Sequence, residues 1–571
     1  MKLNTKSIAL AAAIAAISGS AFAGIVPNGT KPASYTGSDL GAFTPGTGET
    51  AAPVDLIVNI SGASAPDPLI DTFVGSLCVS GTKTNFSDRS TSSVGSSYTA
   101  IFCTVDASKV NAANVGLGMP TMSGNKNVLF RKRSAGGSYF GTTPLTLGAV
   151  SANLTGTNSA RQMTLTQANC TTAATTFTGR VCSASAFQEG QPAMYQGAQV
   201  GWMGASDLPP SMFIGANLSA GQVACGAACN GALDKGENLA VAMGLAVTND
   251  LYLRLQLAQG LNTDVNANGI PDVNELPAAF SAAQKLAYEA NMPTLTRGQI
   301  SALLAGSVPD WVAVKYSGKP LTDAAYGATP ADTNVYLCRR TAGSGTQATF
   351  NAKINNVPCS ADADLPIGDN TTCVSATGTG VAGSGCTGSE TWDNPGIPAI
   401  NSGVAVVHEA SGSGDVENCM TAMQSGTVGH KLAIGLIGSD RAPGTGYTFV
   451  KVDGFAPTVS NMATGRYIPW ANGTMQFASS GAAVPSGDVK ALMSAVREKS
   501  ADAPTIASGN RQYRFGIGGG ASLTDPIPLD SNVLAVYTDA NPVMQVTARG
   551  FACNPDKARD GYNSGIEFKA Q

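Results

Sequence analysis

The chain is poor in charge. Only 13% of its 571 residues are Asp, Glu, Lys or Arg, about half of the ~25% usual for a soluble domain. Its solvated surface must be built from Ser, Thr, Asn and Gly. Positive charge is no more abundant than negative: 34 Lys and Arg stand against 38 Asp and Glu, a net of −4. That balance offers no electrostatic footprint for a nucleic acid. Histidine is almost missing, with only His408 and His430, so hydrolysis built on His has little to draw on. No segment reaches the ~18 consecutive apolar residues of a membrane-spanning helix. The signatures G-x-S-x-G, GxxxxGK[ST] and HExxH are also missing. No enzyme is expected, and an exported phosphatase fits worst, because neither a metal cluster nor an activated nucleophile is visible.

What is there describes an exported, folded protein. Apolar residues make up 43% of the chain, enough for roughly two to four domains with sizeable cores. The first residues carry Lys2 and Lys6, an apolar run from Ile8 to Ile17, and the small-residue ending Ala21-Phe22-Ala23. This is the pattern of a signal peptide, residues 1–23, cleaved before Gly24. The expected location is the periplasm or the outside of the cell, without a stable membrane anchor. Twelve cysteines then read as disulfides. Local spacing suggests Cys78–Cys103, Cys170–Cys182, Cys225–Cys229 and Cys373–Cys386, leaving Cys338, Cys359, Cys419 and Cys553 to pair at longer range. A zinc site at Cys225 and Cys229 is disfavoured, since no second Cys or His pair stands at ligand spacing.

Residues 24–55 form a loose arm rich in Gly, Pro and Thr. Beyond it, short apolar runs alternate with helical patterns. Val54–Ile60, Val128–Arg133, Leu239–Thr248 and Asn334–Arg340 read as strands; the stretch from Asn249, Leu295–Leu304 and Gly487–Ser500 read as helices. The alternation predicts an α/β architecture with parallel or mixed sheets, and ligands in such sheets lie beyond the carboxyl ends of strands. Residues 356–395, rich in Cys and Gly, read as a surface insertion.

Arg339-Arg340-Thr341-Ala342-Gly343-Ser344-Gly345-Thr346 is the most informative stretch. A cation at a strand end, two glycines and two hydroxyls enter a helix whose first N–H groups are unpaired by construction, which is what a buried oxyanion requires. RRTAGSGTQATF resembles the RRxDGSGTxxxF anion loop of the phosphate-binding proteins that serve ABC importers. Further segments follow in that family's order. Gly62–Pro68 (GASAPDP) resembles GATFPAP, SAGGS at 134–138 resembles SGGG, and Gly204–Pro209 (GASDLP) resembles GASDAPL. LTRGQISALLAGSVPDW, AIGLIGSD and RYIPWANGT resemble later family segments. Ala342 stands where the family usually has an Asp that braces the arginine, and Ala65 stands where a Phe is usual.

The resemblance implies a two-lobed fold like that of type II periplasmic binding proteins, with a ligand cleft between the lobes and long loop insertions. Residues 56–240 and 470–571 would form the first lobe, and 241–469 the second. It implies that Ser64, Ala65, Ser134 and Asp207 meet Arg340, Ser344, Gly345 and Thr346 around phosphate or a similar oxyanion. The partner implied is an ABC importer, with the protein itself a monomer. A secreted structural or adhesive protein reusing this fold is the competing expectation, suited by the low charge, the disulfides and the insertions.

One motif stands apart from the resemblance. Asp264, Asn266, Asn268, Gly269, Asp272 and Glu275 fit D-x-[DN]-x-[DN]-G-x5-E throughout, and the carbonyl of Ile270 falls at the seventh position of that loop. Oxygens so spaced suit structural Ca²⁺. Pro271 departs from a paired EF-hand and predicts a solitary loop.

Overall fold

Seven consecutive buried residues, Leu56–Gly62, form strand β1. The run is unbroken because β1 is covered on both faces and paired on both sides, parallel to β4 (Lys126–Arg133) and to β7 (Met203–Ser206). The computed structural model describes most of residues 54–500 together with short pieces at 558–559 and 567–568; the longest gaps within 54–500 are 147–169, 183–202 and 383–404. The expected signal segment, nearly all of the expected N-terminal arm, most of the Cys-rich stretch and the C-terminal part of the range expected for the first lobe lie outside the described residues.

Outward from β4 the sheet continues through β3 (Tyr98–Val105), β2 (Thr84–Ser87), β6 (Arg180–Cys182) and β5 (Cys170–Thr172). On the other side, β7 pairs with β14 (Trp470–Ala478), and β14 pairs with the 16-residue β8 (Leu233–Thr248). Here one sheet becomes two. Leu233–Ala242 pairs with β14, whereas Met243–Val247 pairs with β12 (Ala433–Gly438). From β12 the second part runs to β10 (Tyr336–Arg340) and β11 (Val406–Ala410), while β13 (Tyr447–Val452) joins β8 to β9 (Thr294–Leu295). A bulge at Gly473/Thr474 shifts the register of β14 within this crossing.

Two separate cores show that these are two lobes. The first gathers Leu56, Val58 and Ile60 of β1 with Phe73 and Val74 of α1 (Asp67–Leu77) and Val110 of α2 (Ala107–Asn114). Val489, Leu492, Met493 and Val496 of α8 (Gly487–Lys499) complete it. Their i, i+3, i+4, i+7 spacing puts all four on one helical face. The second core covers the end of β8, β10–β13 and helices α3 (Asn249–Ala258), α4 (Ala282–Ala290), α5 (Arg297–Leu304), α6 (Gly345–Lys353) and α7 (Ser413–Gln424). The fold is thus a mixed α/β, two-lobed molecule joined through β8 and β14.

The expected helix at Leu295–Leu304 starts later, because Leu295 belongs to β9 and Thr296 is the cap. Gln299 N–H donates to Thr296 Oγ1 at 3.2 Å, and Thr296 N–H donates to Gln299 Oε1 at 2.8 Å, a capping box read directly from T-x-x-Q. Cys78–Cys103 is bonded as its spacing suggested, and Cys338 pairs with Cys419, 81 residues on. Cys170 and Cys182 face each other in register across β5 and β6. Cys225, Cys229, Cys386 and Cys553 lie outside the described residues. Among the described residues no helix is long and apolar enough to cross a membrane.

Gly62 ends β1 at φ +117, and a Cβ there would lie 1.9 Å from the carbonyl oxygen of Ala205. That oxygen already accepts from Ala63 N–H at 2.8 Å, so it cannot retreat cheaply. Gly62→Ala should lower unfolding stability by more than ~2 kcal/mol, from strain and backbone clash together. Urea titration measures it, and a loss under ~0.5 kcal/mol, the size of an ordinary surface change, would contradict the packing described.

Candidate functional site

Four strands end at the same place. β1 leads into Ser64, β4 into Ser134, β7 into Asp207 and β10 through Arg340 into the N-terminus of α6. All four approach from their carboxyl ends, where α/β sheets hold ligands. Every described side chain of this set is buried: Ser64 is 6% exposed, Asp207 3% and Arg340 1%.

The lobes touch through these residues. Arg340 Nη1 donates to Ser413 Oγ at 2.9 Å and to Ser64 Oγ at 3.2 Å, and the two hydroxyl oxygens are 3.1 Å apart. Ser64 comes from the first lobe; Arg340 and Ser413 come from the second. Nearby, Tyr139 N–H donates to Gly343 O at 3.0 Å and Gly343 N–H donates to Asn217 O at 2.9 Å. Ala348 and Ala352 of α6 pack with Tyr139, Phe140, Leu208, Met212 and Phe213 of the first lobe. The start of α6 is therefore held between both lobes.

Asp207 is the electrostatic centre of the seam. Ser138 Oγ donates to its Oδ2 at 2.9 Å, while Oδ1 is buried with no hydrogen-bond partner among the described residues. Gly345 makes the approach possible: a Cβ there would stand 2.2 Å from both Asp207 Oδ2 and Ser138 Oγ. Burial raises the Asp207 carboxyl to about 6, against the opposing pull of Ser138, Arg340 and Lys132. Lys132 is buried behind it, its ammonium surrounded by Asp67 Oδ1 (3.0 Å), Ser134 Oγ (2.7 Å) and the carbonyls of Gly62, Ala63 and Arg133. Burial lowers the Lys132 pKa and Asp67 opposes that shift.

Of the residues expected at the site, Ser64, Asp207, Arg340, Ser344, Gly345 and Thr346 belong to this seam or to the helix start that closes on it. Ser344 is the N-cap of α6, its Oγ accepting from Gln347 N–H at 3.5 Å. Its hydroxyl proton is thus left for another acceptor. Ser134 is placed differently. Its proton goes to Asp67 Oδ2 at 2.6 Å and its oxygen accepts from Lys132, so the hydroxyl is already committed within the first lobe. Ala65 lies outside the described residues. Sequence reasoning missed Ser138, four positions beyond Ser134, and Ser413, which opens a helix it had not recognised.

The calcium-type loop is remote in sequence and differently built. Asp264 accepts from Asn268 and Gly269 N–H, and Glu275 accepts from the side-chain amides of Asn266 and Asn268 at 2.9 and 2.6 Å. Asp272 instead takes Val265 N–H on both oxygens and is itself buried. Ala267 and Gly269 turn the loop at φ +57 and +86. One carboxylate, Glu275, thus gathers both amides; among the described residues no three acidic, His or Cys groups are placed to hold a metal by themselves.

No protein-family model matches the chain, and no curated protein sequence does. Solved structures give matches at fold level. One is a chain from Clostridium perfringens assigned as a phosphate ABC transporter substrate-binding protein, with bound phosphate: 10% identity, 80% of this chain and 98% of that one, TM-score 0.33. Another is an ABC-type phosphate transport receptor from Vibrio cholerae: 12% identity, 79% and 96% covered, TM-score 0.29. A third is PstS from Borrelia burgdorferi: 10% identity, 74% and 86% covered, TM-score 0.26. At such scores the likeness assigns no ligand, and the functional reading rests on the seam itself.

A carboxyl raised by burial binds its proton more tightly in the folded state than in the unfolded one. Asp207 therefore supports stability below its ordinary value of 3.8 and loses that contribution as pH rises through about 6. Removing the charge should help at neutral pH. In anion-free buffer Asp207→Asn should exceed the native protein in stability by roughly 2–3 kcal/mol near pH 7.5, with the gain shrinking toward pH 4. A gain that does not vary with pH would show that the carboxylate is not desolvated.

Proposed function

We propose that the protein is an exported solute-binding protein that captures phosphate or a similar protonated oxyanion between its lobes, for uptake through an ABC importer. The observation that carries this reading is Asp207 Oδ1, a buried carboxylate oxygen with no hydrogen-bond partner among the described residues, in the field of the buried Arg340 guanidinium. At about 6 the group is mostly ionised at neutral pH and can accept a hydrogen bond. A ligand suited to both neighbours must donate one proton and otherwise be anionic. Hydrogen phosphate does this: its O–H would meet Asp207, and its remaining oxygens would accept from Arg340, Ser344 and the first N–H groups of α6. Sulfate has no proton to donate and would face the carboxylate as a like charge.

Phosphate should therefore bind at least ~100-fold more tightly than sulfate, equivalent to about 2.7 kcal/mol. Calorimetry on protein stripped of endogenous anions measures this. Asp207→Asn should narrow the ratio, because an amide can donate as well as accept. Arg340→Ala should weaken both anions alike, since it removes charge and no discrimination. Equal affinities in the native protein would remove the proton-accepting role of Asp207. Binding of neither would turn the reading toward a secreted structural or adhesive protein.

We also propose that the 264–275 loop binds Ca²⁺ as a stabiliser of the second lobe. The supporting observation is that the Asn266 and Asn268 side-chain amides donate to Glu275 while Asp264 accepts from the loop backbone at Asn268 and Gly269, with the Ile270 carbonyl following in the loop. Asp272, turned inward to Val265, would act through the loop backbone and not as a direct ligand. Chelation should lower the melting temperature reversibly, because a saturated site contributes a few kcal/mol of stability. The shift should vanish in Asp264→Ala and in Glu275→Gln; the same shift in both variants would exclude this loop.

A further inference from the structure

We infer that Ser413 is a positioning residue that sets the plane of Arg340 before the lobes close, an inference that rests on the oxyanion reading above. A guanidinium recognises an oxyanion through a rigid planar fork, so its orientation matters as much as its charge. Free rotation about the side chain would have to be frozen when the ligand binds, at a cost in affinity. Arg340 Nη1 has two hydroxyl acceptors, and they are not equivalent. Ser64 belongs to the first lobe and is in reach only when the lobes are together. Ser413 belongs to the same lobe as Arg340 and stays in reach in either state.

The place of Ser413 is well fixed. It is the first residue of α7, whose start is closed by Gly412 N–H donating to Asp415 Oδ2 at 2.8 Å and Asp415 N–H donating to Gly412 O at 3.2 Å. Val416, Met420 and Met423 bury the helix in the second core. The Cys338–Cys419 disulfide then ties α7 to β10, two residues before Arg340 on that strand. A covalent link and a buried face thus hold the Ser413 hydroxyl at a constant distance from the base of the arginine. The hydroxyl pair has a second use. Ser64 and Ser413 share one hydrogen bond, so one of their two protons is left to donate, and it is polarised by the guanidinium next to it. Closure by Ser64 would extend a chain that Ser413 has already begun.

A double-mutant cycle tests this, with phosphate as the probe. Ser413→Ala should weaken phosphate binding ~10-fold, the usual effect of losing one hydrogen bond to a charged group. Ser413→Thr, which keeps the hydroxyl at the helix start, should stay within ~3-fold of native. In an Arg340→Lys background the fork is gone, so Ser413→Ala should change binding less than ~2-fold. Equal losses in both backgrounds, or no loss in the native one, would overturn the role of Ser413 while leaving the oxyanion reading intact. If the native protein binds neither phosphate nor sulfate, the oxyanion reading fails instead. The same cycle read as melting temperature in anion-free buffer then decides the inference: non-additive shifts at positions 340 and 413 support the coupling, and additive shifts refute it.

Discussion

The seam depends on keeping a carboxylate and a guanidinium out of water within one narrow space. The ionised Asp207 is held there at a net cost, since burial outweighs the pull of Ser138, Arg340 and Lys132, while Arg340 is supported by hydroxyl acceptors of its own. Around them the protein has arranged one accommodation after another. Ser138 gives Asp207 a donor, Ser64 and Ser413 give Arg340 acceptors, and Gly345 removes the side chain that would block the carboxylate. Among the described residues, Oδ1 of Asp207 has no hydrogen-bond partner.

The closure that the proposed function invokes would turn on the crossing between the lobes. Among the described residues only β8 and β14 run through both halves of the sheet, and the two cores meet at that crossing without merging. Each lobe carries its own part of the charge set, so separating the lobes would separate Asp207 from Arg340 and expose both. Helix α6 resists that separation. Phe350 and Ile354 on one side of it belong to the second core, while Ala348 and Ala352 on the other pack against first-lobe aromatics. Burying small residues there permits a close approach without locking the lobes as firmly as large ones would. The balance of apolar contact against buried charge is what a ligand would tip.

Much of this was legible in the sequence, and the failures have physical reasons. The apolar runs at β1, β8 and β10 could be read because strands buried on both faces, whether parallel (β1, β10) or antiparallel (β8), leave no alternation to confuse them. The loop after β10 was legible because strand-end arginine, paired glycines and hydroxyls have few other uses together. Asp207 emerged only through its ordered neighbours, since one Asp after a short apolar run is otherwise unremarked. Ser134 was the natural choice in SAGGS, yet its role depends on Lys132 and Asp67, a buried charge pair that a strand reading VLFRKR does not announce. Ser138 took the position facing Asp207 because the Gly136-Gly137 turn swings the chain round. Helix α7 escaped notice although Val416, Met420 and Met423 repeat at helical spacing, because its SGSG start resembles a loop. Ser413 could not have been placed beside Arg340 without the β10–β11 pairing and the disulfide that fix it there.

The central claim is that Asp207 holds the proton of a bound, otherwise anionic ligand against Arg340. Phosphorus NMR of the protein with inorganic phosphate tests this directly. The account predicts a separate bound resonance that stays at one position through the pH range where free phosphate titrates, and whose position moves in Asp207→Asn. A single averaged line that follows free phosphate at every pH, in native protein and variant alike, would contradict it.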